Sequence, residues 1–244
     1  MSIDYDHKRN PHTLESPRAA FPIIFSESMP ASLLDVGCGT GTWLKAAQEA
    51  GVKSMLGIDG IQVPKEDFWV DASLFQQEDL TSQFDLGRKF EAVLCFEVAE
   101  HLDEKNAATL IRSLTRHSDL VFFSAACPGQ PGQHHVNCQW PGYWQELFNR
   151  EGFACDDAVR WRLWNQKEVQ SWYRQNIFRA RRDARAGQEP RLNAVVHPDM
   201  LQLLNEEACQ SWTNEIAKGR LPAGWYFRLP PSVFAGKIRQ KLGQ

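Results

Sequence analysis

The sequence lacks several features that would assign it to a specialised class. Its six cysteines form no C-x-x-C pair, no stretch approaches the roughly 18 apolar residues of a membrane span, and the first residues carry no apolar signal core. The formal net charge of −3 excludes a polycation that coats nucleic acid, so any basic footprint must be local. We therefore expect a cytoplasmic protein that is not integral to a membrane.

What the sequence does contain is an alternation of apolar strands and helical segments, which is typical of a parallel sheet covered by helices. A strand pair at 156–164 and 171–180 is predicted to form an antiparallel hairpin at the sheet edge, after a helix at 141–153. The fold class is therefore α/β, with a seven-stranded, mostly parallel sheet and helices on both faces. The five strands predicted before that hairpin lie at 32–37, 54–59, 73–80, 90–97 and 120–126.

The chain is long enough for one full domain with an appendage. Residues 1–190 are predicted to form that domain, including a short helical extension at 1–30. Residues 191–244 are predicted to form a C-terminal helical appendage packed on the same domain. This appendage would either close the active site or form a homodimer contact.

The stretch LLDVGCGTGTW (33–43) places three glycines at every second position behind an apolar strand. At the carboxyl edge of a parallel sheet, such a turn lets a nucleotide-like ligand lie against the backbone. The spacing of Gly37, Gly39 and Gly41 is G-x-G-x-G rather than the G-x-G-x-x-G of dinucleotide sites, which counts against an NAD-dependent reductase.

Acidic residues end the second and third predicted strands. Asp59 is placed where a carboxylate can accept both ribose hydroxyls of a nucleotide. Glu78 and Asp79 are placed where a carboxylate can reach the exocyclic amine of adenine. A single acid at a strand end is more often a cap or a loop residue, but the ordered set favours a nucleotide site.

Together these motifs resemble those of class I S-adenosylmethionine-dependent methyltransferases. The resemblance rests on LLDVGCGTG, LGIDG and QEDL followed by FEAVLCFEVAEHL, over roughly residues 30–180. It implies a Rossmann-like sheet that binds S-adenosylmethionine, with Asp35 and the glycines along the methionine end, Asp59 on the ribose, and Asp79 with Leu80 beside the adenine. The implied cofactor-binding residues are Asp35, Gly37, Gly39, Gly41, Asp59, Asp79, Leu80 and Glu97.

The segment FEVAEHL (96–102) follows the fourth strand and is rich in metal-ligand side chains. If a helix begins near Val98, the side chains of Glu97, Glu100 and His101 converge on one side. Two carboxylates and an imidazole suit magnesium or manganese. The pattern resembles small-RNA 3′-terminal 2′-O-methyltransferases, in which such groups hold a metal over the terminal ribose diol, although E-V-x-E-H is also common in this superfamily without a metal.

The loop CPGQPGQHHVNCQW (127–140) is the predicted acceptor side of the site. His135 is a fourth candidate metal ligand, and the candidate catalytic residues are His135, His134 and Glu100. This loop and the later W-Y-x-Q-N segment resemble bacterial methyltransferases of surface-glycan and sugar-modification pathways. The rings of Trp140, Tyr143 and Trp144 offer flat faces to a sugar, although the spacing of the two tryptophans fits a helix core equally well.

A basic and aromatic segment extends from Arg160 to Arg191. It holds nine basic residues against three acids, and nine minus three leaves a local surplus of +6. Such a surplus suits nucleic acid or a nucleotide diphosphate, although a solvated helix face is the simpler interpretation of RARRDARA (179–186). Arg174 is predicted to lie inside the last strand.

The sequence thus predicts a methyltransferase that methylates an oxygen of a small hydroxylated acceptor such as a sugar or nucleotide sugar. One alternative is an RNA ribose 2′-O-methyltransferase with a divalent metal, Mg²⁺ or Mn²⁺. The other is a cofactor-binding partner subunit without catalysis.

Overall fold

The computed structural model describes residues 13–202, 213–215 and 218. Most of the predicted appendage at 191–244 therefore lies outside the described residues. The chain divides into two units after Met200, and Leu192, His197 and Met200 are buried within the first. None of the described helices is long and apolar enough to cross a membrane.

Seven strands form one sheet in the order β3-β2-β1-β4-β5-β7-β6. The five strands from β3 to β5 are parallel, and β7 is antiparallel to both of its neighbours. The prediction of a seven-stranded, mostly parallel, Rossmann-like sheet is confirmed. The strands are β1 (Ser32–Val36), β2 (Ser54–Asp59), β3 (Phe75–Gln77), β4 (Ala92–Phe96), β5 (Leu120–Ser124), β6 (Phe153–Asp156) and β7 (Phe178–Arg182).

Among the residues that the structure describes, six α-helices cover both faces of this sheet, as predicted. One face packs against α3 and α4, and the other against α1, α2, α5 and α6, because strand side chains alternate between two apolar clusters. In β4, for example, Cys95 faces the first cluster and Leu94 the second. The helices are α1 (Glu15–Ile24), α2 (Thr42–Glu49), α3 (Glu104–His117), α4 (Pro141–Arg150), α5 (Ala158–Leu163) and α6 (Ser171–Asn176).

The predicted strands at 156–164 and 171–180 are wrong, because α5 and α6 occupy most of these segments. In α5, Val159 and Leu163 are buried four residues apart while Trp161 is exposed, which is a helical period hidden by the aromatic and β-branched composition. An antiparallel strand pair does lie at the edge of the sheet, but β6 and β7 form it. Along the chain, β6 precedes the two helices and β7 follows them.

Two smaller predictions also differ from the structure. The third strand, predicted at 73–80, is limited to the three residues of β3, and a 3-10 turn at Ala72–Leu74 precedes it. The arginines at 179–182 belong to β7 rather than to a helix, because their backbone pairs with β5 and β6. Arg174 lies on α6, and its side chain is buried there.

Candidate functional site

The glycine turn follows β1 at the carboxyl edge of the sheet. Gly37, Gly39 and Gly41 all have positive φ angles, of 75°, 50° and 78°. A side chain at Gly37 would also collide with Val98, so the turn needs glycine both for its backbone conformation and for its space. The amide of Gly37 donates to the carbonyl of Ile58 at 2.8 Å, which fixes the turn against the end of β2.

Asp59, the last residue of β2, holds this turn in place. Its Oδ2 accepts a hydrogen bond from the Gly39 amide at 2.9 Å, and its Oδ1 accepts one from the Ile61 amide at 2.9 Å. The carboxylate is buried beside the glycines, where the sequence predicts the ribose site. Its contact with a ribose stays a prediction.

Asp35 lies in β1 beneath the turn and is almost completely buried. Burial, and then the charge of Asp59, raises the pKa of Asp35 to about 8. One of its oxygens, Oδ2, and the hydroxyl oxygen of Thr40 have no hydrogen-bond partner among the described residues. The glycine turn leaves space for a ligand above Asp35, and Oδ2 of Asp35 is free to accept a hydrogen bond from it. This arrangement fits a ligand that carries an N–H group, as the methionyl end of S-adenosylmethionine does.

Asp79 and Leu80 follow β3 at the same edge. The Asp79 carboxylate is exposed and accepts hydrogen bonds from the Thr81 amide, the Thr81 hydroxyl and the Ser82 hydroxyl, and these bonds lower its pKa. The Asp79 carboxylate therefore stabilises the local turn that it forms with Thr81 and Ser82. Leu80 is buried in the core, and the predicted adenine contact of both residues stays a prediction.

Glu97, which is half-buried, and Glu100, which is fully buried, form an acid pair after β4. The predicted helix from Val98 is wrong, because Glu97 has a left-handed φ of 54° and only a short 3-10 turn, Ala99–His101, follows it. Glu97 accepts hydrogen bonds from Gln130 at 2.9 Å and Asn176 at 3.1 Å. Burial raises the pKa of its carboxyl against the effect of these bonds.

Glu100 is the more isolated of the two acids. Its side chain has no exposed surface, and neither oxygen meets a partner in good hydrogen-bond geometry among the described residues, although the Glu97 carboxyl is close. Burial, followed by repulsion from Glu97, raises the pKa of Glu100 well above its usual range. The buried carboxylate therefore needs a proton or a cation to compensate its charge.

Two histidines complete this cluster. The ligand atoms of Glu100, His101 and His135 all lie within 4.8 Å of one another, and the two imidazoles meet edge to face with ring centroids 5.0 Å apart. Nδ1 of His135 lies 3.0 Å from the carbonyl oxygen of Gln130 and must donate to it, so Nε2 is the acceptor nitrogen in the neutral tautomer. Burial, and then the nearby His135, lowers the pKa of His101 to about 4, so this ring is neutral at pH 7.

The structure thus brings together three of the four predicted metal ligands. Glu97 is outside that group because the amides of Gln130 and Asn176 hold its carboxylate. His134 is exposed and has a left-handed φ of 51°, so the turn that exposes it also delivers His135 inward.

Three buried amide side chains near the acids were not predicted as site residues. Gln130 Oε1 accepts from Asn176 at 2.9 Å, and Gln175 donates to Asn176 at 3.1 Å and to the Cys127 sulfur at 3.0 Å. This network joins the acceptor loop to α6. The W-Y-x-Q-N segment was noted in the sequence, but no periodicity shows that its two amides point inward.

The tryptophans of the acceptor side separate into two roles. Trp144 is buried in the core, where its ring lies 5.2 Å from that of Phe123, and is therefore not available to a sugar. Trp140 is 38% exposed and remains the candidate flat face.

The arginines of the basic segment pair with acids, seven of them with acids outside the segment and Arg185 with Asp183 inside it. Each of its eight arginines has a carboxylate within 4.0 Å, so no arginine of this segment is left unpaired for a phosphate backbone. The pairs are Arg160–Asp157, Arg162–Glu27, Arg174–Asp199, Arg179–Asp156, Arg181–Glu27, Arg182–Asp119, Arg185–Asp183 and Arg191–Glu146.

Comparison with known proteins identifies a family and similar folds. A family described as "Methyltransferase domain" matches residues 5–181, and no curated protein matches the sequence significantly. The fold is similar to that of the sugar N-methyltransferase KedS8 from Streptoalloteichus sp ATCC 53650, with a TM-score of 0.54 and 16% identity over 72% of this chain and 90% of that one. It is also similar to DesVI of Streptomyces venezuelae, with a TM-score of 0.51 and 16% identity over 74% of this chain and 100% of that one.

Proposed function

The chain belongs to this methyltransferase family, and from that premise we propose that it transfers a methyl group to a hydroxyl oxygen of a small polar acceptor, a sugar or a nucleotide sugar. It is an S-adenosylmethionine-dependent methyltransferase of the Rossmann-like class. The two similar structures are each only 16% identical to it, so they support the fold and not the acceptor. Cytoplasmic location and homodimer formation stay predictions from the sequence.

The observation that carries the proposal is the orientation of His135 beside the acid pair. Bound S-adenosylmethionine supplies an electrophilic methyl group on a sulfonium sulfur. Since transfer is an in-line displacement, the protein needs to place an acceptor atom on the methyl axis and remove its proton. Nε2 of His135 is the nitrogen that can accept this proton, because Nδ1 donates a hydrogen bond to the carbonyl oxygen of Gln130. The acceptor oxygen would gain the methyl group as the bond between that methyl carbon and the sulfonium sulfur breaks, the thioether S-adenosylhomocysteine would leave, and the acceptor's proton would pass to Nε2.

The surroundings of His135 favour a polar acceptor. Gln133, Asn137 and Gln139 come from the same loop and add amide donors and acceptors, and Trp140 is exposed next to them. Aromatic faces and amide groups are the usual contacts of hydroxylated rings. An RNA acceptor is less favoured, because the arginines that would contact phosphates are all ion-paired.

A divalent cation is a second candidate component, favoured by the convergence of Glu100, His101 and His135. One carboxylate and two imidazoles can hold a divalent cation such as manganese, and a cation there would also stabilise the otherwise uncompensated Glu100 carboxylate. In that case the three side chains would hold the metal, Nε2 of His135 would be a metal ligand instead of the base, and the metal would orient the acceptor hydroxyl. Manganese titration by calorimetry tests this: we expect binding that Glu100→Gln abolishes and that Glu104→Gln, on the exposed start of α3, leaves unchanged.

The acceptor is tested with methyl-labelled S-adenosylmethionine. The purified protein is incubated with a metabolite extract, a panel of nucleotide sugars, or RNA, with and without a chelator, and label is measured in the separated fractions. We expect label in small polar products, lost in the His135→Ala variant. Label confined to RNA would overturn the small-acceptor proposal. Tight cofactor binding with no label in any fraction would instead favour a partner subunit without catalysis.

A further inference from the structure

Asn176, the last residue of α6, carries a buried amide that contacts both the acid pair and the acceptor loop. Its Nδ2 donates to Oε1 of Gln130 at 2.9 Å and to the two carboxylate oxygens of Glu97 at 3.1 and 3.3 Å. Its Oδ1 accepts a hydrogen bond from Nε2 of Gln175 at 3.1 Å. Flipping the amide would direct its oxygen at a carboxylate, so the orientation of the Asn176 side chain is fixed.

Gln130 connects this amide to the proposed base. Its side chain is held twice, because Nε2 donates to Glu97 at 2.9 Å while Oε1 accepts from Asn176. The backbone amide of Gln130 donates to the carbonyl of Cys127 at 3.0 Å and closes a turn. The backbone carbonyl of Gln130 accepts from Nδ1 of His135 at 3.0 Å. The carbonyl that determines the His135 tautomer therefore belongs to a residue whose side chain Asn176 binds.

The end of α6 is anchored independently of that carbonyl. Gln175 is buried, its Nε2 donates to the sulfur of Cys127 at 3.0 Å, and its Oε1 accepts from the backbone amide of His197 at 2.8 Å. Two residues after Asn176 the chain enters β7, which is paired with both β5 and β6. Asn176 thus lies where a helix meets the sheet, and a group on such a rigid element can orient a loop that packs against it.

We propose that Asn176 is a positioning residue for His135. By binding the side chain of Gln130, it keeps the Gln130 carbonyl where Nδ1–H of His135 donates to it, and the lone pair of the imidazole is then on Nε2. This inference deepens the proposed function and rests on it, since His135 is the proposed base. An Nε2 that binds a cation needs the same tautomer, so Asn176 has the same role in that case.

The test determines the tautomer of His135 by NMR in protein labelled with ¹⁵N-histidine, in the presence of a chelator and without acceptor. Long-range ¹H–¹⁵N spectra distinguish a protonated ring nitrogen from an unprotonated one, and the His135 signals are those missing from His135→Ala. Spectra at about pH 8.5, above the ordinary imidazole pKa of about 6.5, compare neutral rings. In Asn176→Ala we expect the ratio of the Nδ1–H to the Nε2–H tautomer to fall about fivefold, as for one lost hydrogen bond of the usual net strength.

Gln130→Met breaks the same connection from the side of the loop and leaves α6 intact. It should lower the tautomer ratio by the same factor, and the double variant should add less than twofold, because both changes remove one connection. Asn149→Ala is the matched control. Nδ2 of Asn149, near the end of α4, donates to the Phe153 carbonyl and the Glu189 carboxylate, which belong to the packing of α4 on β6. This variant should lower the unfolding midpoint without changing the tautomer of His135.

A tautomer ratio that stays the same in Asn176→Ala and Gln130→Met would overturn the inference, and so would an equal change in Asn149→Ala. Thermal unfolding of each variant confirms that it folds, and Gln130→Met provides the test if Asn176→Ala does not.

Label transfer from S-adenosylmethionine to the small polar fraction of the metabolite extract is the second measurement. Asn176→Ala should lower the initial rate about 10-fold in the otherwise unsubstituted protein and less than twofold in the His135→Ala background, since a positioning residue acts through the group that it positions. Equal reductions in both backgrounds would contradict the inference. The spectra need no methyl transfer, so a protein with the expected tautomers that transfers no label fails in the proposed function alone.

Discussion

Oδ2 of Asp59 accepts a hydrogen bond from the amide of Gly39 at 2.9 Å, although the two residues are 20 positions apart in the sequence. The carboxylate predicted to hold a ribose thus also fixes the turn on which the rest of the cofactor would lie. A substitution at Asp59 removes a ligand contact and loosens the cradle at the same time.

Asp59→Ala should therefore weaken S-adenosylmethionine binding by about 1 to 3 kcal/mol, the range for a lost hydrogen bond to a charged group. Asp59→Asn retains an oxygen acceptor and should lose less. Calorimetric titration measures both variants. Asp71→Ala, which removes an exposed cap of a 3-10 turn, is the control and should bind normally. An unchanged affinity in Asp59→Ala would refute the ribose assignment.

The stability of the protein should depend on pH through Asp35. Its pKa is about 8 in the folded protein and near 3.8 when the chain is unfolded, so the unfolded state loses the proton first as pH rises. The free energy of unfolding should then decrease as the pH rises from about 4 to 8, and Asp35→Asn should remove this part of the pH dependence. Denaturant unfolding of both proteins at pH 5 and pH 8.5 measures it. A parallel dependence in the two proteins would show that Asp35 does not carry the effect.

Cofactor affinity and turnover should separate at His135. Because the imidazole is oriented to take a proton and lies in the acceptor loop, His135→Ala should lower kcat by about 100-fold and change the Kd of S-adenosylmethionine less than twofold. His134 is exposed, and His134→Ala should have a smaller effect on kcat. Steady-state kinetics and calorimetry together measure the separation. Equal losses of turnover and affinity in His135→Ala would mean that His135 is structural.

Gly37→Ala should be far more damaging than Gly87→Ala. Both glycines have positive φ, of 75° and 66°, so both substitutions strain the backbone by about 1 kcal/mol. Only at Gly37 does the new methyl group also collide with Val98, whereas nothing lies within 4 Å at Gly87. We expect Gly37→Ala to destabilise the fold by about 2 kcal/mol more than Gly87→Ala and to abolish cofactor binding. Similar unfolding midpoints for the two variants would contradict this account.

The parts of the fold that depend on short-range sequence could be predicted. β2 was predicted at its observed bounds, and the glycine turn after β1 was predicted from its residues alone. The helices α5 and α6 were missed, because runs rich in aromatic and β-branched residues have strand-like composition whichever period they follow. Tertiary contacts with α1 and β7 accompany the helical form of α5.

The candidate site could be predicted from the sequence only where the side chains that meet belong to one segment or follow the ends of neighbouring strands. Glu100 and His101 are adjacent in the sequence, and their convergence with His135 was expected from the ends of neighbouring strands. The partners of Glu97 are 33 and 79 residues away, at Gln130 and Asn176, so no local pattern indicates them. Contacts of this length are established by the topology of the sheet and become visible only in three dimensions.

The position of β7 between β5 and β6 has a consequence for synthesis on the ribosome. The five parallel strands are complete at Ser124, but the outer edge of β5 has no partner until Arg182 has emerged. During that interval the apolar strand Leu120–Ser124 presents unpaired amides and carbonyls to other chains. A nascent or truncated chain that stops before Phe178 keeps this unpaired strand edge, and we expect it to aggregate.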